Sequence, residues 1–321
     1  MQRKVKLWTG NLRHSPQVSH LKRILLGQLH LILNFHRIRQ ENEEMSDAGF
    51  DTCPSIPDDK FRQVLFSLRK HYQIVPLKTL VENLSSREPL AAITFDDGWR
   101  DNYELGFPIL QELDVPATIF ITTNKLGATE PFWQQKLGAA FKTVIDRIDT
   151  PLESALRNLI HLDQKSPLNK GLYIQTVKKW KLLRIEDIHN RLSTLPLKFR
   201  GQEIRLFLNQ QEILEMSQKG IEFGTHTVDH VILTNESEKK IIFQLAESKK
   251  HLENLLQKPV YALAYPNGNF SPNIVRITKE LGYTLGCSTK SRKLTRHEKL
   301  FELPRIDVSL NNWEKFLRIH L

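Results

Sequence analysis

With 321 residues, 40% of them hydrophobic, and only two cysteines, the chain can bury a sizeable core but carries no disulfide framework or cysteine-based zinc site. A prior of about 150 residues per domain suggests two domains, yet α/β barrels of about 250 residues or more are commonly one. The net charge of +10 and pI near 9.5 arise from cations scattered along the chain, without the basic run or motif of a nucleic-acid binder; an anionic glycan or a negatively charged membrane leaflet stays compatible.

The N-terminus is basic (Arg3, Lys4, Lys6), but Trp8 to Gln17 is too polar for a signal-peptide core. Gln28, His30 and Asn34 interrupt the apolar stretch from Ile24 to Phe35, which falls short of the ~20 apolar residues of a membrane span. An amphipathic helix over Val18–Leu26 and a strand over Leu31–Phe35 are expected instead. The expected location is therefore cytoplasmic or on the cytoplasmic face of the membrane, with peripheral membrane contact compatible with the charge. Residues 40–57 are polar and turn-rich, a loop. Asp58 to His71 reads as a helix, with Phe61, Val64, Leu65 and Leu68 at helical spacing. Strands follow at Ile74–Leu77, Ala91–Phe95 and Val115–Ile121, with a helix over Asn102–Leu113 between the last two. Over 131–208 no α/β alternation is clear, and Leu, Lys and Ile recur at helical intervals, so a mainly helical insertion or lid is expected there. Alternation resumes with a helix at Asn209–Lys219, a strand at Ile221–Phe223, a long helix at Glu236–Leu256 and strands at Tyr261–Ala264 and Thr284–Cys287. The pattern predicts an α/β chain, one catalytic domain over 1–321 with that insertion.

Chemistry concentrates at two strand ends. Asp96 and Asp97 close the run Leu90–Phe95 and meet Gly98, so two adjacent carboxylates point in different directions; one can hold a metal while the other handles a proton. Downstream, His226 and His230 lie four apart and share one face if the segment is helical. Two imidazoles and one carboxylate form a three-ligand set that leaves positions open for water and substrate. Asp-Asp-Gly alone is most often a turn, and a lone His pair most often decorates an exposed helix. Both at strand ends point to metal-assisted hydrolysis, in which an aspartate accepts a proton from water and an imidazole protonates the departing amine. Tyr265-Pro266 offers a flat surface for a sugar ring, or else a packed turn.

The stretches Thr94-Phe95-Asp96-Asp97-Gly98, His226-Thr227-Val228-Asp229-His230 and Ala264-Tyr265-Pro266-Asn267-Gly268 resemble, in order and spacing, the polysaccharide deacetylases with the NodB homology domain (carbohydrate esterase family 4). That resemblance covers roughly 31–125 and 211–308 and implies a distorted (β/α) barrel of the NodB type, an acetylated amino-sugar glycan as substrate, and one divalent ion, usually zinc. It also implies Asp96 as general base and Asp97, His226 and His230 as metal ligands. Two departures stand out. Ala264 occupies the place of an arginine that orients the base, and no late Leu-x-His motif supplies an acid, the C-terminal stretch offering only His297 and His320. The chain is similar to the permuted branch that includes the poly-N-acetylglucosamine deacetylases, which implies His36 as the acid, with Arg305 replacing the missing arginine. The expected function is metal-dependent removal of N-acetyl groups from an amino-sugar polysaccharide or its precursor. An O-acetyl esterase or small-amide hydrolase using the same site, and an inactive glycan-binding relative, are the alternatives; the ligand set also suits Fe(II).

Overall fold

The computed structural model describes residues 30–41, 50–146, 150–196 and 204–321; the expected helix at Val18–Leu26 lies outside them. The strands are β1 (Leu31–Phe35), β2 (Arg37–Arg39), β3 (Ser55–Pro57), β4 (Gln73–Ile74), β5 (Leu90–Phe95), β6 (Ala117–Ile121), β7 (Glu222–Thr225), β8 (Ala262–Ala264), β9 (Leu285–Cys287) and β10 (Ile306–Asp307). The main sheet runs β10-β1-β5-β6-β7-β8-β9, with every neighbour parallel and β4 beside the start of β5. Residues leading into β10 also bond to β9: Leu303 N–H donates to Gly286 O (2.9 Å) and Ser288 N–H to Leu303 O (2.8 Å). Those bonds bridge the sheet's two edges and curl it into a distorted (β/α) barrel. Parallel strands covered on both faces read as unbroken apolar runs, and β1, β5 and β6 are buried at every position.

The helices are α1 (Asp58–Arg69), α2 (Leu77–Glu82), α3 (Phe107–Glu112), α4 (Trp133–Asp146), α5 (Thr150–Leu159), α6 (Lys170–Trp180), α7 (Ile185–Leu192), α8 (Gln210–Gln218), α9 (Glu238–Leu256), α10 (Pro272–Glu280) and α11 (Trp313–His320). On α1 the apolar stripe Phe61, Val64, Leu65 and Leu68 is buried, as its helical spacing requires. Asn209 and Glu212 form a reciprocal capping box that starts α8 where the sequence places it. The strand read at Ile74–Leu77 is shorter than expected: Pro76 cannot donate to a ladder and instead precedes α2, which takes Leu77. The helix read at Asn102–Leu113 opens with a π-helical turn over Asn102–Gly106.

Between β6 and α8 stand α4 to α7. Leu137 and Phe141 of α4, Tyr173 and Val177 of α6 and Ile188 of α7 share one buried cluster with Leu245 of α9 and Leu263 of β8, so these helices pack onto the barrel through a continuous core. Among the described residues no helix is long and apolar enough to cross a membrane.

Candidate active site

Parallel pairing brings the strands' C-terminal ends to one side of the barrel. β1 and β5 pair in register, Phe35 opposite Phe95, so the next residues, His36 and Asp96, emerge side by side. Asp96 N–H donates to Phe35 O (3.0 Å), extending the ladder one step past the strand. The chain then turns through left-handed Asp97 (φ 76°) and Gly98 (φ 80°). A Cβ at position 98 would also stand 2.9 Å from Ile121 Cδ1, which reserves the place for glycine.

Asp96 is buried against Arg305, whose side chain is fully buried as well. Arg305 Nη1 donates to Asp96 Oδ1 (2.7 Å) and Nη2 to Oδ2 (2.8 Å), a two-pronged charge-assisted pair. Further donations run from Arg305 to Asn34 Oδ1 (2.7 Å) and Ser288 O (3.1 Å), and from Asn34 Nδ2 to Asp96 Oδ2 (3.1 Å). Burial works to raise the Asp96 pKa, but Arg305 and then His226 outweigh it and bring it to about 2. Arg305 thus sits where the sequence reading wanted a guanidinium, clamped to Asp96.

Asp97 has different neighbours. Its Oδ2 accepts the Trp99 indole N–H at 2.9 Å, while its buried Oδ1 has no hydrogen-bond partner. Opposite Oδ1 stand His226 Nε2 at 3.5 Å and His230 Nε2 at 3.3 Å. His226 Nδ1 lies 2.8 Å from Ala264 O, a group that can only accept, so Nδ1 carries the proton and Nε2 presents a lone pair. Burial depresses the His226 pKa to about 4, which keeps that ring neutral at ordinary pH. A bare imidazole nitrogen facing an unpartnered carboxylate oxygen is a repulsive arrangement until a cation enters between them. Asp97, His226 and His230 place one ligand atom each within 4.8 Å of one another and can hold a metal ion.

The two histidines do not meet on a helical face. Residues 226–230 form an irregular loop with left-handed Thr227 (φ 67°) and His230 (φ 56°). The loop is pinned by Asn124 N–H on Val228 O (2.9 Å) and by buried Gln244 of α9, whose Oε1 accepts from the N–H groups of Val228 (3.0 Å) and Asp229 (2.9 Å). Phe132 packs against the His230 ring, centroids 4.7 Å apart.

His36, Asp96, Asp97, His226 and His230 line one cleft of about 260 Å³. The Nδ1 of His36 is buried there without a partner, and its carbonyl accepts from Asn102 Nδ2 (2.8 Å). Tyr265 and Pro266 do not serve as a platform for a sugar ring. Tyr265 is fully buried, its hydroxyl donating to Phe301 O (3.1 Å) and its ring packed on Phe270, and Pro266 is buried beside it; of that motif only Asn267 reaches the cleft. Sequence reading passed over Asn34, Trp99, Gln244 and the cleft residues Cys53, Gln134, Gln135 and Lys181. Asn34 had a signal, being the one polar residue of an otherwise apolar strand. Trp99 directly follows Asp96-Asp97-Gly98, and the rest come from distant segments with no pattern of their own.

The family model described as polysaccharide deacetylase matches residues 84–286. Among curated relatives, the Bacillus subtilis protein YxkH is 20% identical over 230 residues, 72% of this chain; the chain spans 55% of that relative's length. A poly-β-1,6-N-acetyl-D-glucosamine N-deacetylase of Staphylococcus aureus is 23% identical over 307 residues, 90% of this chain and 81% of its own. In structure the chain is similar to the Streptococcus pyogenes deacetylase PplD, solved in complex with acetate, with TM-score 0.59, 21% identity, and 90% of this chain and 96% of that one covered.

Proposed function

Because the chain belongs to the polysaccharide deacetylase family, we propose that it hydrolyses N-acetyl groups from an amino-sugar polysaccharide or its precursor with one divalent ion, zinc by preference. One observation carries this reading: the unpartnered Asp97 Oδ1 faces two imidazole nitrogens in the cleft that also holds an arginine-clamped Asp96. A glycan-binding protein without turnover has no use for a second buried carboxylate kept ionised at such cost.

Asp97, His226 and His230 would hold the ion, and Trp99 and the Ala264 carbonyl would orient two of those ligands through their far atoms. When bound, a divalent ion polarises the amide carbonyl and makes water acidic enough to attack near neutral pH. Asp96 then takes the proton released as water adds to the carbonyl carbon. Arg305 keeps Asp96 in its carboxylate form and fixes its direction, at the expense of making it a weak base. His36, emerging beside Asp96, gives a proton to the sugar nitrogen as the C–N bond breaks, which frees acetate and the amine. The position of His36 in the same cleft as Asp96 and Asp97 supports this assignment.

The test is acetate release from a panel of acetylated glycans, beginning with the β-1,6-linked N-acetylglucosamine oligomers named for the Staphylococcus relative. Release should stop with a chelator and return with zinc. Undiminished release by protein shown to be metal-free would refute the reading.

A further inference from the structure

The helices between β6 and β7 give the cleft a second wall that the mechanism leaves unused. Gln134 and Gln135, in the first turn of α4, and Lys181, just past α6, line the same cavity as the two aspartates. Lys181 is held firmly by its backbone, for Asn235 Nδ2 donates to Lys181 O (2.8 Å) and Leu183 O (3.0 Å). Its half-buried ammonium donates to Asn267 Oδ1 at 2.7 Å, a neutral partner, and no carboxylate lies within ion-pair distance among the described residues. Neighbouring Lys136, by contrast, is paired with Glu130. Burial pulls the Lys181 pKa down, and the charge of Asp97 opposes it. The remaining carboxylate of the cleft, Asp307, is engaged by Asn34 Nδ2 at 2.8 Å. If Asp97 is taken up by an ion, Lys181 is left as a half-buried cation with a neutral partner alone, a state that an anionic ligand would improve.

The glutamines describe the rest of that ligand. Both Oε1 atoms are buried without a hydrogen-bond partner. The amide of Gln135 is fixed in direction, because its Nε2 donates to Asp51 Oδ1 (3.3 Å) and a carboxylate only accepts. Two orphaned acceptors call for hydroxyl or amide donors, and one ammonium calls for a negative charge. We propose that this wall selects amino-sugar glycans bearing an anionic substituent, a carboxylate or a phosphate, near the reacting acetamide, with Lys181 as the specificity-determining residue. The proposal rests on the deacetylase reading and adds the charge of the substrate to it.

The experiment compares wild type with Lys181→Met and Lys181→Arg on three probes: a neutral N-acetylglucosamine oligomer, an oligomer alternating N-acetylglucosamine with glucuronate, and N-acetylglucosamine 1-phosphate. Acetate release gives kcat/KM for each, and calorimetric titration into zinc-loaded protein carrying Asp96→Asn in each background, at low and high salt, gives Kd with turnover suppressed. A charge-assisted contact in a half-buried site predicts a preference of about 10–100-fold for the better anionic probe over the neutral one. That preference should shrink with salt, disappear in Lys181→Met and largely survive in Lys181→Arg; which anionic probe wins separates carboxylate from phosphate. Wild type that binds the neutral probe as tightly as both anionic ones, or a Lys181→Met variant that keeps the preference, overturns the proposal. Absence of acetate from every probe overturns the deacetylase reading instead, while the calorimetric comparison still decides the role of Lys181.

Discussion

Replacing Arg305 by methionine should expose how much the fold spends on keeping Asp96 ionised. The pair is buried on both sides, with donor–acceptor distances of 2.7 and 2.8 Å. With charge centres ~4 Å apart and an effective dielectric near 20, their attraction is ~4 kcal/mol, in line with the roughly 3–5 kcal/mol lost when one partner of a buried pair is removed. At 1.36 kcal/mol per pK unit, ~4 kcal/mol is about three units, which would carry the Asp96 pKa from about 2 to roughly 5. The sign follows from the depressed value. A carboxylate whose folded pKa lies below its unfolded 3.8 stabilises the protein above that pH, and the stabilisation fades as pH falls toward 2. Urea unfolding should therefore show Arg305→Met destabilised by roughly 3–5 kcal/mol at pH 7, with the gap narrowing as pH falls from about 5 toward 2. Adding Asp96→Asn to Arg305→Met should restore part of the loss, since the orphaned charge is gone. A loss under about 1 kcal/mol at pH 7, or one that does not narrow in acid, would refute the buried-pair account.

Three further outcomes are expected. His226→Ala and His230→Ala should each lose metal and acetate release together, measured by elemental analysis beside the activity assay; full metal occupancy in the double variant would remove both from the ligand set. Asp96→Asn should keep its metal and lower kcat by roughly 10²–10⁴-fold, whereas Asp97→Asn should lose the metal; the opposite pattern would exchange the two roles. His36→Ala should retain metal and lose more rate on an amide than on an activated acetyl ester, whose leaving group needs no proton; equal losses on both would indicate a structural role.

The barrel was legible because its strands are short apolar runs bounded by turn residues, and its motifs because they sit where those runs stop. Local chemistry also marked the helix starts, as Asn209 and Glu212 do for α8. What sequence could not convey was proximity across the barrel. Nothing in the spacing of Arg305 and Asp96 places a guanidinium on a carboxylate; it follows from β10 pairing with β1 and β1 with β5. The same closure hid Lys181, one lysine among many until the packing of α6 brought it to the cleft. Tyr265 misled for a related reason: strand-end aromatics look alike in sequence whether they turn outward to a ligand or, as here, inward under Phe270.

Three residues of the candidate metal site and its loop, Asp97, Thr227 and His230, have left-handed backbones without being glycine. Each such residue costs of order 1–3 kcal/mol, most for a β-branched side chain such as threonine. The candidate metal site thus carries backbone strain of its own, and any selection for heat resistance alone would tend to find it. Thr227→Gly is the simplest such escape: it should raise the melting temperature of the metal-free protein while loosening the loop that aims the two imidazoles. A laboratory lineage evolved only for thermostability would drift toward a sturdier barrel with a blunted site, and the order in which these three positions changed would record which of them the chemistry can least spare.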